Sequence, residues 1–258
     1  MSILNIVGAK IWGGGEQYVY DICQQLQQRH RTAHILVDQS NADMQSRYAQ
    51  VGHVMTGNLY TLKGFLSINA VAKEVKEKGI NTIICHSGKY ILFCIALKYL
   101  TGAKLVFIKH NLVAGKTDLY HRWINKQVDA FVCVSKLVYD DLMTPAIKDA
   151  SKYHIVYNGI NPKRFLSFAE GVPMKDKVTT FGYSARITEQ KGLYLILKAL
   201  EEIHHKNPTV RLIISGAGTE DQIKKLKNYI DVHKMNSYVK FIGFTRDIES
   251  LYNSIDCL

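Results

Sequence analysis

Short apolar runs rich in Val, Ile and Phe alternate along the chain with longer segments whose apolar residues recur every three or four positions. The first pattern predicts β-strands and the second amphipathic helices, and their alternation predicts parallel strands joined by crossover helices, an α/β fold. Strands are expected at 3–8, 34–37, 82–85, 104–108, 130–134 and 154–156. A glycine-rich turn, Gly13 to Gly15, follows the first of them, and residues 16–29 then place Val19, Ile22, Cys23 and Leu26 on one helical face. These elements predict one Rossmann-like, doubly wound domain over residues 1–165.

The segment "NGINPKRF" at 158–165 combines Gly, Asn and Pro ahead of a polar stretch, which marks a linker. A second domain, 166–258, then restarts the pattern with strands at 178–183, 210–215 and 238–241 and helices at 192–204, 220–233 and 248–252. The closing "SIDCL" reads as the start of another buried strand, so this second Rossmann-like domain is expected to be incomplete and the chain cut short. The longest apolar stretch, 90–100, contains Lys98 and falls well below the roughly 20 residues of a membrane span. With no basic start and no small-residue cleavage site, the N-terminus is expected to be a strand rather than a secretion signal, and the protein cytoplasmic.

Charge narrows the partners. The net charge is +11, with 20 basic and 12 acidic residues through Glu170 and 13 and 10 after it, so the excess is concentrated in the first domain. The cations are dispersed in runs of at most two and no aromatic-basic binding motif accompanies them, which argues against nucleic acid. A basic face suits anionic phospholipid, a diphosphate substrate, or simply water. The five cysteines, Cys23, Cys85, Cys94, Cys133 and Cys257, form no CxxC pair and are expected to be reduced thiols.

Four places carry chemistry. In "GGGEQY", Gly14 and Gly15 let backbone come close to a ligand and the following helix offers free amides to an anion, although the spacing fails the dinucleotide pattern GxGxxG and a tight turn is the plain alternative. In "YSARITEQKG", Arg186 and Lys191 lie after a strand of the second domain, where open α/β sheets bind ligands; a fork-shaped guanidinium and a point charge together suit a diphosphate, with solvated surface cations as the plain alternative. In "ISGAGTED", Gly216 and Gly218 follow the next strand, as a structural turn or a nucleotide contact. His86 and His110 each follow an apolar strand, so both should emerge on the edge that carries the first glycine loop, as contacts for sugar hydroxyls or, singly, as plain hydrogen-bonded edge residues. No set of His, Cys or carboxylates is spaced as a metal site.

In order along the chain, "GGGE", "KHN", "VCVSK", "IVYNGINPKRF", "YSARITEQKG" and "LIISGAGTE" resemble the family 4 glycosyltransferases of the GT-B fold. The resemblance covers almost the whole chain. It implies a transferase that moves a sugar, with retention of configuration, from a nucleoside diphosphate sugar to a saccharide or lipid-linked acceptor, in cell-surface polysaccharide or lipopolysaccharide synthesis. By the same resemblance Arg186 and Lys191 would stabilise the diphosphate, Gly14 and Gly15 would approach the phosphates or the donor sugar, and His110 would contact the transferred sugar. Glu16, His86, Asn158, Gly216 and Gly218 complete the expected substrate-binding set. No metal or other cofactor is expected, and contact with the membrane's inner face would be peripheral. The sequence departs from the family in having Gln190 where Glu often precedes the lysine, and in lacking the Glu-x7-Glu pair expected further along. An inactive or partial chain that binds a nucleotide sugar or a partner is therefore the alternative. A dinucleotide-binding oxidoreductase is disfavoured by the failed glycine spacing and the missing acidic ribose partner.

Overall fold

The apolar run that opens the chain makes strand β1 (Ile3–Val7), and its side chains divide by parity, Leu4 and Ile6 entering one core and Val7 another. This is the two-residue period of a strand buried on both faces. A computed structural model describes residues 2–59, 62–112, 114–143, 150–160, 179–245 and 247–258, with the backbone alone at 62–66. The chain divides into two compact units, Met1–Ile160 and Asn161–Leu258. The expected domain boundary at 165 and most of the linker lie outside the described residues.

In the first unit β1 is followed by α1 (Gly14–Gln28), β2 (Ala33–Asp38), α2 (Ala42–Tyr48), β3 (His53–Gly57), α3 (Leu62–Glu77), β4 (Thr82–Cys85), α4 (Ile91–Thr101), β5 (Lys104–Lys109), α5 (Leu119–Gln127), β6 (Ala130–Cys133), α6 (Lys136–Leu142) and β7 (Tyr153–Ile155). The strands form one parallel sheet in the order β3-β2-β1-β4-β5-β6-β7. Chain order reverses between β1 and β4, and it is at such a switch point that open sheets leave a crevice beyond the strand ends. Under α1 and α2 lie Val19, Cys23, Ile35, Val37, Met44 and Tyr48; on the opposite face Leu36, Ile83, Leu97, Leu105 and Phe131 pack with α3 and α4. Each fully buried Leu or Ile here contributes about 1.5–3 kcal/mol. β3, where the hydrophobic pattern predicts no strand, is an edge strand whose His53 and Thr56 face solvent.

The second unit contains β8 (Thr179–Ser184), α7 (Leu193–Lys206), β9 (Val210–Ser215), α8 (Glu220–Val232), β10 (Val239–Gly243) and α9 (Ile248–Asn253). Its parallel sheet runs β10-β9-β8, covered by Leu193, Leu197, Leu200, Leu226 and Ile230 from α7 and α8. The start of α7 depends on Gly192, which adopts φ 68, a left-handed conformation that costs a glycine nothing. Thr219 and Gln222 form a reciprocal capping box at the start of α8. The closing segment pairs with β8 through a parallel bridge between Phe181 and Cys257, with Gly182 N–H donating to Cys257 O at 2.7 Å. The expected strand entry is thus present, but Asp256, Cys257 and Leu258 are exposed rather than buried.

Candidate functional site

Two sets of residues converge, one on each unit. In the first unit, β4 and β5 are neighbours, so the residues just past their carboxyl ends stand side by side. His86 and His110 meet there: His86 Nδ1 is 3.1 Å from His110 Nε2, and the rings stack with centroids 5.4 Å apart. The other ring nitrogen of His86, Nε2, lies 3.1 Å from Asn5 Oδ1. Asn5 is a fully buried polar residue in the middle of β1, and its amide donates to Cys23 Sγ of α1 at 3.7 Å. Tyr18, also from α1, packs edge-on against both imidazoles at 6.2 and 5.1 Å.

Burial dominates the electrostatics. It lowers the His86 pKa to about 3, with the neighbouring His110 adding to the effect, and it lowers His110 as well. Both are neutral imidazoles at neutral pH, hydrogen-bonding groups rather than cations. Lys109, next in chain, lies over the Phe107 ring at 4.2 Å and is lowered by its own burial. The Cys23 thiol is pushed up to about 12 by burial and stays protonated.

The glycine turn delivers α1 to this place. Gly13 is extended (φ −158, ψ −168) and, as a glycine, offers no side chain to cap the helix. A Cβ built on Gly14 or Gly15 would meet nothing within 4 Å, so a ligand has room to approach this backbone. Glu16 lies in the first turn, its carbonyl accepting from the Tyr48 hydroxyl at 2.9 Å. Gly14, Gly15, Glu16, His86 and His110 therefore share one sheet edge. Asn158 is exposed beyond β7 in a stretch without regular structure, and nothing described joins it to them.

In the second unit the loops after β8 and β9 are joined by their backbones. Ala185 N–H donates to Ser215 O at 3.2 Å and Ile187 N–H to Ala217 O at 2.8 Å, while Gly216 N–H reaches Gly243 O at 3.0 Å. Arg186 is exposed between the two joined residues, and Lys191 is exposed at the end of a 3₁₀ turn, Glu189–Lys191, that leads into α7. Neither cation pairs with a carboxylate among the described residues. Gly216 is required sterically, because an added Cβ would lie 1.9 Å from Ala185 O. Gly216→Ala is expected to cost about 1–3 kcal/mol in the second unit, the range for forced overpacking, and urea unfolding of the variant checks it. The Gly218 position is tight against Ile187, at 3.0 Å from its Cβ.

Asn5 and Tyr18 join this cluster, although neither is among the residues expected from the sequence. Asn5 left a signal, a lone polar residue inside an apolar strand beside the glycine turn; Tyr18 left none, since an aromatic at helical spacing reads as core. All five cysteines are free thiols, four of them buried. No group of three or more His, Cys, Asp or Glu among the described residues is placed to hold a metal ion, and no described helix is long and apolar enough to cross a membrane.

Two mostly parallel α/β units, each with a glycine loop at the carboxyl edge of its sheet, make the GT-B architecture, and solved structures of that fold superpose on this chain. One, from Anabaena, is HepE in complex with UDP-glucose, with a TM-score of 0.75, 19% identity and coverage of 99% of this chain and 72% of that one. The pattern of Glycosyltransferase Family 4 matches residues 12–164 and that of Glycosyl transferases group 1 matches residues 164–258. The chain belongs to Glycosyltransferase Family 4. An uncharacterized glycosyltransferase of Methanocaldococcus jannaschii is 27% identical over 217 residues, 72% of this chain and 54% of that protein. The alpha-monoglucosyldiacylglycerol synthase of Acholeplasma laidlawii is 26% identical over 154 residues, 55% and 37% of the two lengths. The chain thus spans about half or less of the curated relatives it matches.

Proposed function

We propose that the protein transfers a sugar from a nucleoside diphosphate sugar to a saccharide or lipid-linked acceptor, with retention of configuration, in the assembly of cell-surface polysaccharide or lipopolysaccharide. The observation that carries this reading is the pair of exposed cations, Arg186, whose neighbours Ala185 and Ile187 are bonded through the backbone to the Ser215–Ala217 loop, and Lys191 in the turn that follows. Breaking the glycosidic bond builds charge on the departing diphosphate, and fixed cations that meet that charge stabilise the transition state. In this proposal Arg186 and Lys191 take the role that a divalent ion plays elsewhere, Gly216 and Gly218 contact the nucleotide, Gly14 and Gly15 approach the phosphates or the donor sugar, Glu16 and Asn158 serve substrate binding, and His110 contacts the transferred sugar. The UDP-glucose held by the Anabaena protein supports a nucleotide-sugar donor. Titration of the chain with uridine and guanosine diphosphates and their sugars, without added metal, tests it: micromolar binding is expected, and its absence would favour the inactive or partial-chain reading.

A lipid-linked acceptor fits one further feature. Helix α5 buries Ile124 and exposes Leu119 (83%), Tyr120 (48%) and Trp123 (44%) beside the exposed Arg122 and Lys126. Apolar and aromatic side chains interleaved with cations suit peripheral contact with an anionic leaflet at the cytoplasmic face. The relative from Acholeplasma laidlawii, named for a diacylglycerol product, supports this part of the reading. Trp123→Glu is expected to reduce co-sedimentation with phosphatidylglycerol vesicles several-fold; equal sedimentation of both proteins would remove α5 from the membrane proposal.

A further inference from the structure

The chain of contacts from Cys23 through Asn5 and His86 to His110 has a direction, and the direction follows from what each atom can donate. Asn5 Nδ2 is engaged with Cys23 Sγ, which leaves Oδ1 facing His86 Nε2 at 3.1 Å. A carboxamide oxygen only accepts, so His86 Nε2 carries the hydrogen and donates. Being neutral, His86 then has a bare Nδ1, which accepts from His110 Nε2–H at 3.1 Å. A neutral His110 with its hydrogen on Nε2 keeps a lone pair on Nδ1.

We propose that Asn5 is a positioning residue which, through His86, fixes His110 in the Nε2–H tautomer, so that His110 presents an acceptor, not a donor, to the sugar. This deepens the transferase reading and rests on it for the identity of the ligand. The recognised group is then a hydroxyl that gives its hydrogen to His110 Nδ1. Lacking that hydrogen, an O-methyl or deoxy sugar loses the bond. The placement explains why a polar side chain stands fully buried at Asn5 among Leu4, Ile6 and Val7: removing it would leave a buried imidazole hydrogen without a partner, a cost that an apolar replacement cannot offset. It also explains why two imidazoles are stacked at the sheet edge, since one sets the other. Partners that orient metal-ligating histidines in this way are worth about 10–100-fold in function, and the low end of that range is the expectation for this pair.

The test uses 15N-labelled histidine in the full chain. In the unaltered protein, the ring correlations are expected to show His86 and His110 each with a hydrogen on Nε2 and a bare Nδ1. A hydrogen on Nδ1 of His110 would overturn the proposal outright, whatever any variant does. Asn5→Leu is expected to convert the single pattern of His110 into a mixture of tautomers and to lower kcat about tenfold with a smaller change in KM, as judged on folded protein by its thermal transition. An unchanged His110 pattern in Asn5→Leu would equally remove Asn5 from the role. The ring-nitrogen readout needs no turnover, so the two readings fail separately. If no donor sugar supports transfer while the tautomers are as stated, the relay stands and the transferase reading falls.

Discussion

Arg186→Ala is expected to weaken binding of a nucleoside diphosphate to this chain by about tenfold to a hundredfold, and the double variant with Lys191→Ala by more than either alone. A hydrogen bond to a charged group is worth about 1.5–3 kcal/mol, and each 1.4 kcal/mol is a factor of ten. Both side chains are exposed, and the hydrogen bonds that hold their loop run through the backbone of Ala185 and Ile187, so the fold should not notice the change. Arg186→Lys should recover only part of the loss, because an ammonium cannot grip two oxygens in a fork. Titration calorimetry with uridine diphosphate reads all three variants. Affinities equal to that of the unaltered protein would remove the diphosphate from this loop, and with it the main support for the transferase reading.

Acid should destabilise the first unit earlier than its carboxylates alone would. His86 has its folded pKa lowered to about 3, against an ordinary value near 6.5, so the unfolded chain takes up a proton in that window that the folded chain refuses. The stability that this neutral imidazole supports is fully present above pH 6.5 and is lost as the pH falls, at about 1.4 kcal/mol per pH unit from His86 alone. His34 and His110 are lowered as well and act in the same direction. Asp38 and Asp129, held below the usual carboxylate range by hydrogen bonds, add a further loss only under more acidic conditions. Urea unfolding at pH 7, 6, 5 and 4.5 should therefore show midpoints that already fall between pH 6 and 5. A flat profile there would mean that His86 accepts a proton in the folded state, which the Asn5 contact and the surrounding burial argue against.

The sheet was legible because buried parallel strands are written as continuous β-branched runs. Thr82–Cys85 and Val210–Ser215 coincide with the expected spans, and other ends shift by a residue or so. β3 was not legible, since an edge strand with His53 and Thr56 turned to water carries too little apolar signal over five residues. Of the site, His86, His110, Arg186 and Lys191 could be placed from sequence by a single rule, that ligands gather beyond the carboxyl ends of the strands. What the rule cannot supply is partnership. The His86–His110 contact spans 24 residues and the His86–Asn5 contact 81, separations at which a one-dimensional pattern holds no information on distance. Asn5 shows the limit most clearly, for its side chain looks like a flaw in a strand until the histidine that needs it is seen.

The loops of the second unit have a consequence for how this protein can diversify. Their frame is largely of main-chain groups, Ala185 to Ser215, Ile187 to Ala217 and Gly216 to Gly243, which every amino acid but proline supplies alike. The Ser215 hydroxyl also donates to Gly243 O at 3.1 Å and the Tyr183 hydroxyl to Arg186 O at 3.3 Å. Arg186, Ala217 and Thr219 therefore project from a scaffold that their own side chains do not hold together, apart from the local cap that Thr219 makes with Gln222. Substitutions at Arg186 or Ala217 should therefore cost little in stability, so that in the proposed transferase a change there acts on ligand contacts rather than on the fold. The tolerance ends at Gly216, where the carbonyl of Ala185 leaves no space for a first side-chain carbon.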